Sequence, residues 1–172
     1  MNKTTRNVVY GGIVACLYAV LTLMPGLNSL AYGPIQFRVS ELLTILPLFT
    51  ASAVPGLAIG CVAANMASPM ILDMVFGTLA TLFSAYCTYK LRKHKKIALM
   101  MPVVFNAVII GTMLSFFYSD TAVSLKLLLM NMFTVGAGEF VICFVIGYPL
   151  SLILEKRGFL QKNNGKNEQF GI

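Results

Sequence analysis

Residues 31–49, "AYGPIQFRVSELLTILPLF", decide how this chain is read, because they set Arg38 and Glu41 three residues apart at the entrance to an apolar run. Lipid makes such a placement expensive: insertion scales assign roughly 2.5–3.5 kcal/mol to a charged residue at the centre of a span. The surroundings confirm that lipid is the relevant solvent. Of the 172 residues, 58% are hydrophobic and 11% charged, against about 25% charged in a typical soluble domain. The apolar residues gather into long runs, which predicts an all-α polytopic membrane protein.

Six helices follow from those runs, at about 8–24, 40–53, 55–69, 71–91, 97–118 and 125–154. Pro25, Gly26, Pro55, Gly56 and Pro69 punctuate the early boundaries. The second and third are short and joined by almost nothing, so they read as a hairpin. Lys3 and Arg6 ahead of the first run imitate a leader peptide, but further apolar runs follow, and a retained first helix is expected. Residues 1–156 are then the membrane domain, and the polar, Asn-containing stretch 157–172 is expected to be a disordered tail.

Charge sets the orientation. Of the 13 Lys and Arg, only Arg38 and Lys126 fall away from one face, and "KLRKHKK" supplies a dense basic loop after the fourth helix. The positive-inside rule then places both termini in the cytoplasm. It also accounts for the net charge of +7 without a nucleic-acid partner. The four cysteines lie inside apolar runs with no CxxC spacing, which predicts neither a metal nor a disulfide framework. The one histidine, His94, falls in the basic loop, so no nucleophile has an evident base and an enzyme is not expected.

The polar residues inside the runs carry the functional argument. Arg38, Glu41 and Asp73 fall at the outer mouths of helices two and four, Asn106 near the middle of helix five, and Asn131 about a turn inside helix six. Glu139 lies thirteen residues past Lys126 and seventeen before Lys156, near the midplane. An ionisable group at that depth is a functional site by default. Structural readings stand beside this: an i,i+3 pair for Arg38 and Glu41, a helix cap for Asp73, and interhelical hydrogen bonds for Asn106 and Asn131. Tyr32, Phe37 and Phe76 lie near these groups and suit stacking on a flat ligand, or else anchoring and packing. Gly11, Ala15 and Ala19 form a small-residue stripe on helix one. It allows close approach, either within the bundle or to a partner.

Five stretches together, "YGPIQFRVSELLTILPLF", "VPGLAIGC", "DMVFGTLATL", "PVVFNAVIIG" and "GEFVICFVIG", resemble the queuosine-precursor transporter family, QueT. These are substrate-binding S components of energy-coupling factor transporters, and the likeness runs from about residue 7 to 156. It implies a six-helix S component of a bacterial cell membrane, without cofactor, whose outward pocket takes a 7-deazaguanine precursor of queuosine. It further implies a transmembrane coupling subunit and two cytoplasmic ATPases as partners, with the S component toppling in the membrane to release its ligand. Gly11, Ala15 and Ala19 match the stripe that docks on the coupling subunit, and Arg38, Glu41, Asp73, Asn106 and Glu139 stand in matching stretches. In that setting Glu139 is expected to accept from the N–H edge of the heterocycle and Asp73 or Glu41 to meet an exocyclic amine. Arg38 is expected to orient Glu41. The competing reading is an ion-coupled secondary transporter of a small polar metabolite, using the same carboxylates for protons or sodium.

Overall fold

The computed structural model describes residues 2–26, 37–67, 71–117 and 123–157, and no strand occurs among them. The quoted stretch enters the bundle as Val39–Leu48, a ten-residue 3-10 helix rather than the expected α-helix. With three residues per turn, side chains three apart eclipse one another. Glu41, Thr44 and Pro47 therefore form one buried row, and Ile45 and Leu48 belong to a second. Pro47 has no N–H to give, and such a residue disfavours an ordinary α-helical turn at this point.

The α-helices surround this segment. They are α1 Lys3–Leu23, α2 Ala53–Asn65, α3 Asp73–Lys90 and α4 Lys95–Phe117, followed by one continuous helical run. That run comprises α5 Leu125–Glu139, a π-helical stretch Phe140–Ile146, and α6 Gly147–Lys156. Ser124 starts it, accepting the Leu127 N–H at 3.2 Å. Helices adjacent in sequence pack side by side from α1 to α5, and the 3-10 helix touches α1, α2, α3, α4, the π stretch and α6. It is the hub of the bundle.

Among the described residues, three helices are long and apolar enough to cross a membrane: Lys3–Leu23, Lys95–Phe117 and Leu125–Lys156. The 3-10 helix and α2 are shorter. The outer surface is rich in large apolar side chains such as Val8, Ile59, Ile71 and Phe133. The interior holds Arg38, Glu41, Asn65, Asp73, Thr81, Asn106 and Glu139. That inversion, greasy outside and polar within, is what a bilayer selects.

Close helix contacts depend on missing side chains. A Cβ on Gly56 would sit 2.5 Å from the Gly11 carbonyl oxygen, and one on Gly60 would sit 2.7 Å from that of Ala15. The Gly11–Ala15 stripe is thus spent on the α1–α2 crossing. Gly111 makes the same allowance for Met132 where α4 meets α5. At the basic end, Ile45, Leu48, Phe49, Ala98 and Leu99 form an apolar plug, with Leu91, Tyr148 and Leu154 packed against it. Lys95 and Glu155 pair across that end.

Candidate functional site

Two carboxylates are held in the same half-satisfied way. Asp73 opens α3 and is fully buried; its Oδ2 accepts from the Arg38 guanidinium at 2.7 Å, while Oδ1 has no hydrogen-bond partner among the described residues. Glu41 on the 3-10 helix accepts at Oε1 from Tyr18 Oη at 2.5 Å and from Thr81 Oγ1 at 2.9 Å, while Oε2 has no partner among the described residues. The ion pair joins Arg38 to Asp73, 35 residues away. Arg38 thus clamps Asp73, and its charge also reaches Glu41, which it was expected to orient.

Asn65 and Gly77 complete the first group. Asn65 Nδ2 donates to the Asp73 carbonyl at 2.8 Å and approaches Cys61 Sγ at 3.3 Å. A Cβ on Gly77 would fall 2.8 Å from Asn65 Nδ2, 3.2 Å from Asp73 Oδ1 and 3.4 Å from an Arg38 guanidinium nitrogen. Glycine lets three polar groups crowd one face of α3.

Glu139 ends α5 where the π stretch begins. Its Oε2 lies 3.3 Å from Cys143 Sγ, and that sulfur lies 3.5 Å from the Glu41 carbonyl oxygen. Cys143 therefore ties the π stretch to the 3-10 helix between two acids. Glu139 also lies within electrostatic range of Glu41 and Arg38. An extra residue per turn changes which side chains face inward, and π segments often occur at functional positions.

Asn106 on α4 is buried, and its Nδ2 donor lacks a partner among the described residues. Thr78 Oγ1 on α3 is in the same condition. Asn131 is occupied instead: its Nδ2 donates to Ser115 Oγ at 2.9 Å, which in turn donates to the Gly111 carbonyl at 2.8 Å. It joins α4 to α5, the structural alternative for this residue. Phe76 packs on Phe117 with ring centroids 6.0 Å apart, and Phe37 lies against the group formed by Val103, Ile142 and Cys143. Tyr32, most of the predicted tail, and part of the loop before Asp73 lie outside the described residues.

Gly11 and Ala15 face α2 rather than the outside. Ala19, next along the stripe, is half-buried. The outward face of α1 carries Val9, Gly12, Ile13, Cys16 and Val20, and a Cβ on Gly12 would meet nothing within 4 Å.

Depth in the apolar runs singled out the acids and Asn106, which the fold buries, but not the buried Tyr18, Asn65, Thr81 and Cys143 or the unpartnered Thr78 hydroxyl. Asn65 carried the same signal as Asn106, an amide within an apolar run. Hydroxyls and thiols carry none, since they are common enough in spans to pass as packing.

In chemical terms the interior offers, among the described residues, two bare carboxylate oxygens, one bare amide donor and one bare hydroxyl. Three carboxyl groups, Glu41, Asp73 and Glu139, accompany the single guanidinium of Arg38 among the described buried residues. Among the described residues no group of His, Cys, Asp and Glu is placed to hold a metal ion.

The chain was compared with known proteins. Residues 8–156 match the family described as QueT transporter. A curated relative, the queuosine precursor transporter QueT of Lactococcus lactis subsp. cremoris (strain MG1363), is 44% identical over 78 residues. That alignment covers 45% of this chain and 46% of the relative, so the match spans about half the length of each. No solved structure matches. Since the family match extends from the first turns of α1 to the last residue of α6 and includes every polar group described above, the chain belongs to the QueT transporter family.

Proposed function

We propose that this protein is the membrane-embedded substrate-binding component of an importer for a queuosine precursor, a 7-deazaguanine derivative. The observation that carries the reading is the set of buried groups left without partners among the described residues: Glu41 Oε2, Asp73 Oδ1 and Asn106 Nδ2, with Thr78 Oγ1 a fourth. A buried polar group without a partner costs about 1–3 kcal/mol, and more where charged. Three of them inside an apolar exterior are readily explained by a ligand that supplies the partners. A guanine-like edge has adjacent N–H donors and a carbonyl acceptor, which complement two carboxylates and an amide N–H. The excess of acid over base favours an added cationic aminomethyl group.

In this reading Glu139 accepts from the N–H edge, Glu41 and Asp73 take the remaining donors, and Asn106 donates to the carbonyl. Phe37 and Phe76 border the site, and Tyr32 belongs to the segment leading into it. The chain crosses the membrane six times with both termini in the cytoplasm, and the apolar plug closes the site on that side. Transport is driven by a coupling subunit and two ATPases of the energy-coupling factor type, against which the binder topples. The coupling subunit meets α1 along its small-residue side, at Ala19 and the exposed Gly12 and Cys16, beside Gly11 and Ala15, which α2 approaches closely.

The test is to purify the chain in detergent, identify any retained small molecule by mass spectrometry, and titrate deazapurines, purines and vitamins. Tight and selective binding of a 7-deazaguanine supports the assignment; selective binding of a vitamin instead overturns the substrate.

A second reading, ion-coupled transport, draws on the π stretch that starts beside Glu139, since π segments within helices often occur at functional sites. Uptake that persists without ATPase partners and collapses with the ion gradient favours it. Uptake that requires the ATPases rejects it.

A further inference from the structure

Glu41 treats its two oxygens unequally, and the source of that inequality is two hydroxyls from different helices. Tyr18 on α1 and Thr81 on α3 both donate to Oε1, across 23 and 40 residues of sequence. Glu41, Tyr18 and Thr81 are all fully buried. The backbone beneath Glu41 is fixed as well, because Thr44 Oγ1 donates to its carbonyl at 2.6 Å and Cys143 Sγ lies 3.5 Å from the same oxygen. Among the described residues, Oε2 nevertheless faces no donor.

If these contacts served only to bury an acid, both oxygens would be expected to be satisfied, since a carboxylate has room for several donors. Concentrating two hydroxyls on one oxygen leaves the other directed and bare. We propose that Tyr18 and Thr81 are positioning residues, which hold the Glu41 carboxylate so that Oε2 alone is presented to a donor group of the substrate. Asp73 repeats the device with Arg38 on Oδ2 and Oδ1 left bare. The pair selects ligands that carry two separate hydrogen-bond donors, and disfavours planar heterocycles that can satisfy only one. This rests on the reading of Glu41 as a substrate-binding acid.

A double-mutant cycle on the full chain in detergent tests it, with an aminomethyl-bearing 7-deazaguanine as probe. The proteins are wild type, Tyr18→Phe, Glu41→Gln and the double variant, with thermal unfolding followed in parallel. Tyr18→Phe keeps the ring and is expected to weaken binding about tenfold or more, the scale of one hydrogen bond to a charged group. In the Glu41→Gln background the same change is expected to add nothing. Thr81→Val supplies an independent second reading of the same kind. Equal weakening by Tyr18→Phe in both backgrounds indicates general packing and overturns the proposal. Unchanged binding in Tyr18→Phe and Thr81→Val, with Glu41→Gln impaired, overturns it while leaving Glu41 in the site. Unchanged binding in Glu41→Gln overturns both the proposal and the assignment of Glu41 on which it rests.

Discussion

Gly77→Ala sets two opposing effects against each other at the heart of the candidate site. Replacing an interior helical glycine by alanine contributes about 1 kcal/mol of helix propensity, and on that ground alone the variant gains stability. The new Cβ, however, arrives 2.8 Å from Asn65 Nδ2 and 3.2 Å from Asp73 Oδ1. Asn65 cannot simply swing aside, because its Nδ2 donates to the Asp73 carbonyl at 2.8 Å. Moving it by a few tenths of an ångström stretches that bond toward the limit of useful geometry, with about 1 kcal/mol at stake. Overpacking adds about 1–3 kcal/mol. The unfavourable side wins, leaving a net loss of about 1–3 kcal/mol and a fall of several degrees in Tm. Binding suffers more, because the displaced groups include a bare carboxylate oxygen, and a fall of about tenfold or more in affinity is expected. Thermal unfolding in detergent and ligand titration of the same preparations read both quantities. Gly12→Ala is the control: its Cβ meets nothing within 4 Å, so affinity stays and Tm holds or rises. A Gly77→Ala protein with raised Tm and unchanged affinity refutes the argument.

Three further outcomes are expected. Glu139→Gln retains shape and fold but weakens binding about tenfold or more, through loss of a charged acceptor; titration beside thermal unfolding checks it. Asn131→Leu loses the hydrogen bond to Ser115, lowers stability by about 0.6–2 kcal/mol and leaves ligand affinity unchanged, as the same two measurements report. Gly56→Ala forces apart the α1 and α2 backbones, since its Cβ would lie 2.5 Å from a carbonyl oxygen. The expected cost is about 1–3 kcal/mol or more, visible as lower folded yield and Tm, in contrast to Gly12→Ala, whose Cβ meets nothing within 4 Å in the chain.

How far the sequence carried depended on what each signal measures. Hydropathy located α1, α4 and the α5–α6 run, because bilayer thickness imposes a length that composition reveals. It did not separate the 3-10 helix from an α-helix, since in "VSELLTILPL" apolar residues fill both the three- and four-residue repeats. The π stretch was hidden for the same reason: "FVICFVI" is apolar at every position and has no period to read. Glu139 was found by depth alone, and Glu41 and Asp73 by the rarity of charge in such runs. Their partners were not, because local spacing offered Glu41 to Arg38, whereas the fold brings up Asp73 from 35 residues away. The stripe on α1 correctly signalled a close approach. Spacing alone did not say that α2 supplies the other surface.

The most direct measurement is an experimental structure of the purified chain loaded with an aminomethyl-bearing 7-deazaguanine. The account predicts the heterocycle inside the bundle, with nitrogen donors at Glu41 Oε2 and Asp73 Oδ1 and its carbonyl oxygen at Asn106 Nδ2. A ligand bound elsewhere, with those three atoms still bare, contradicts it.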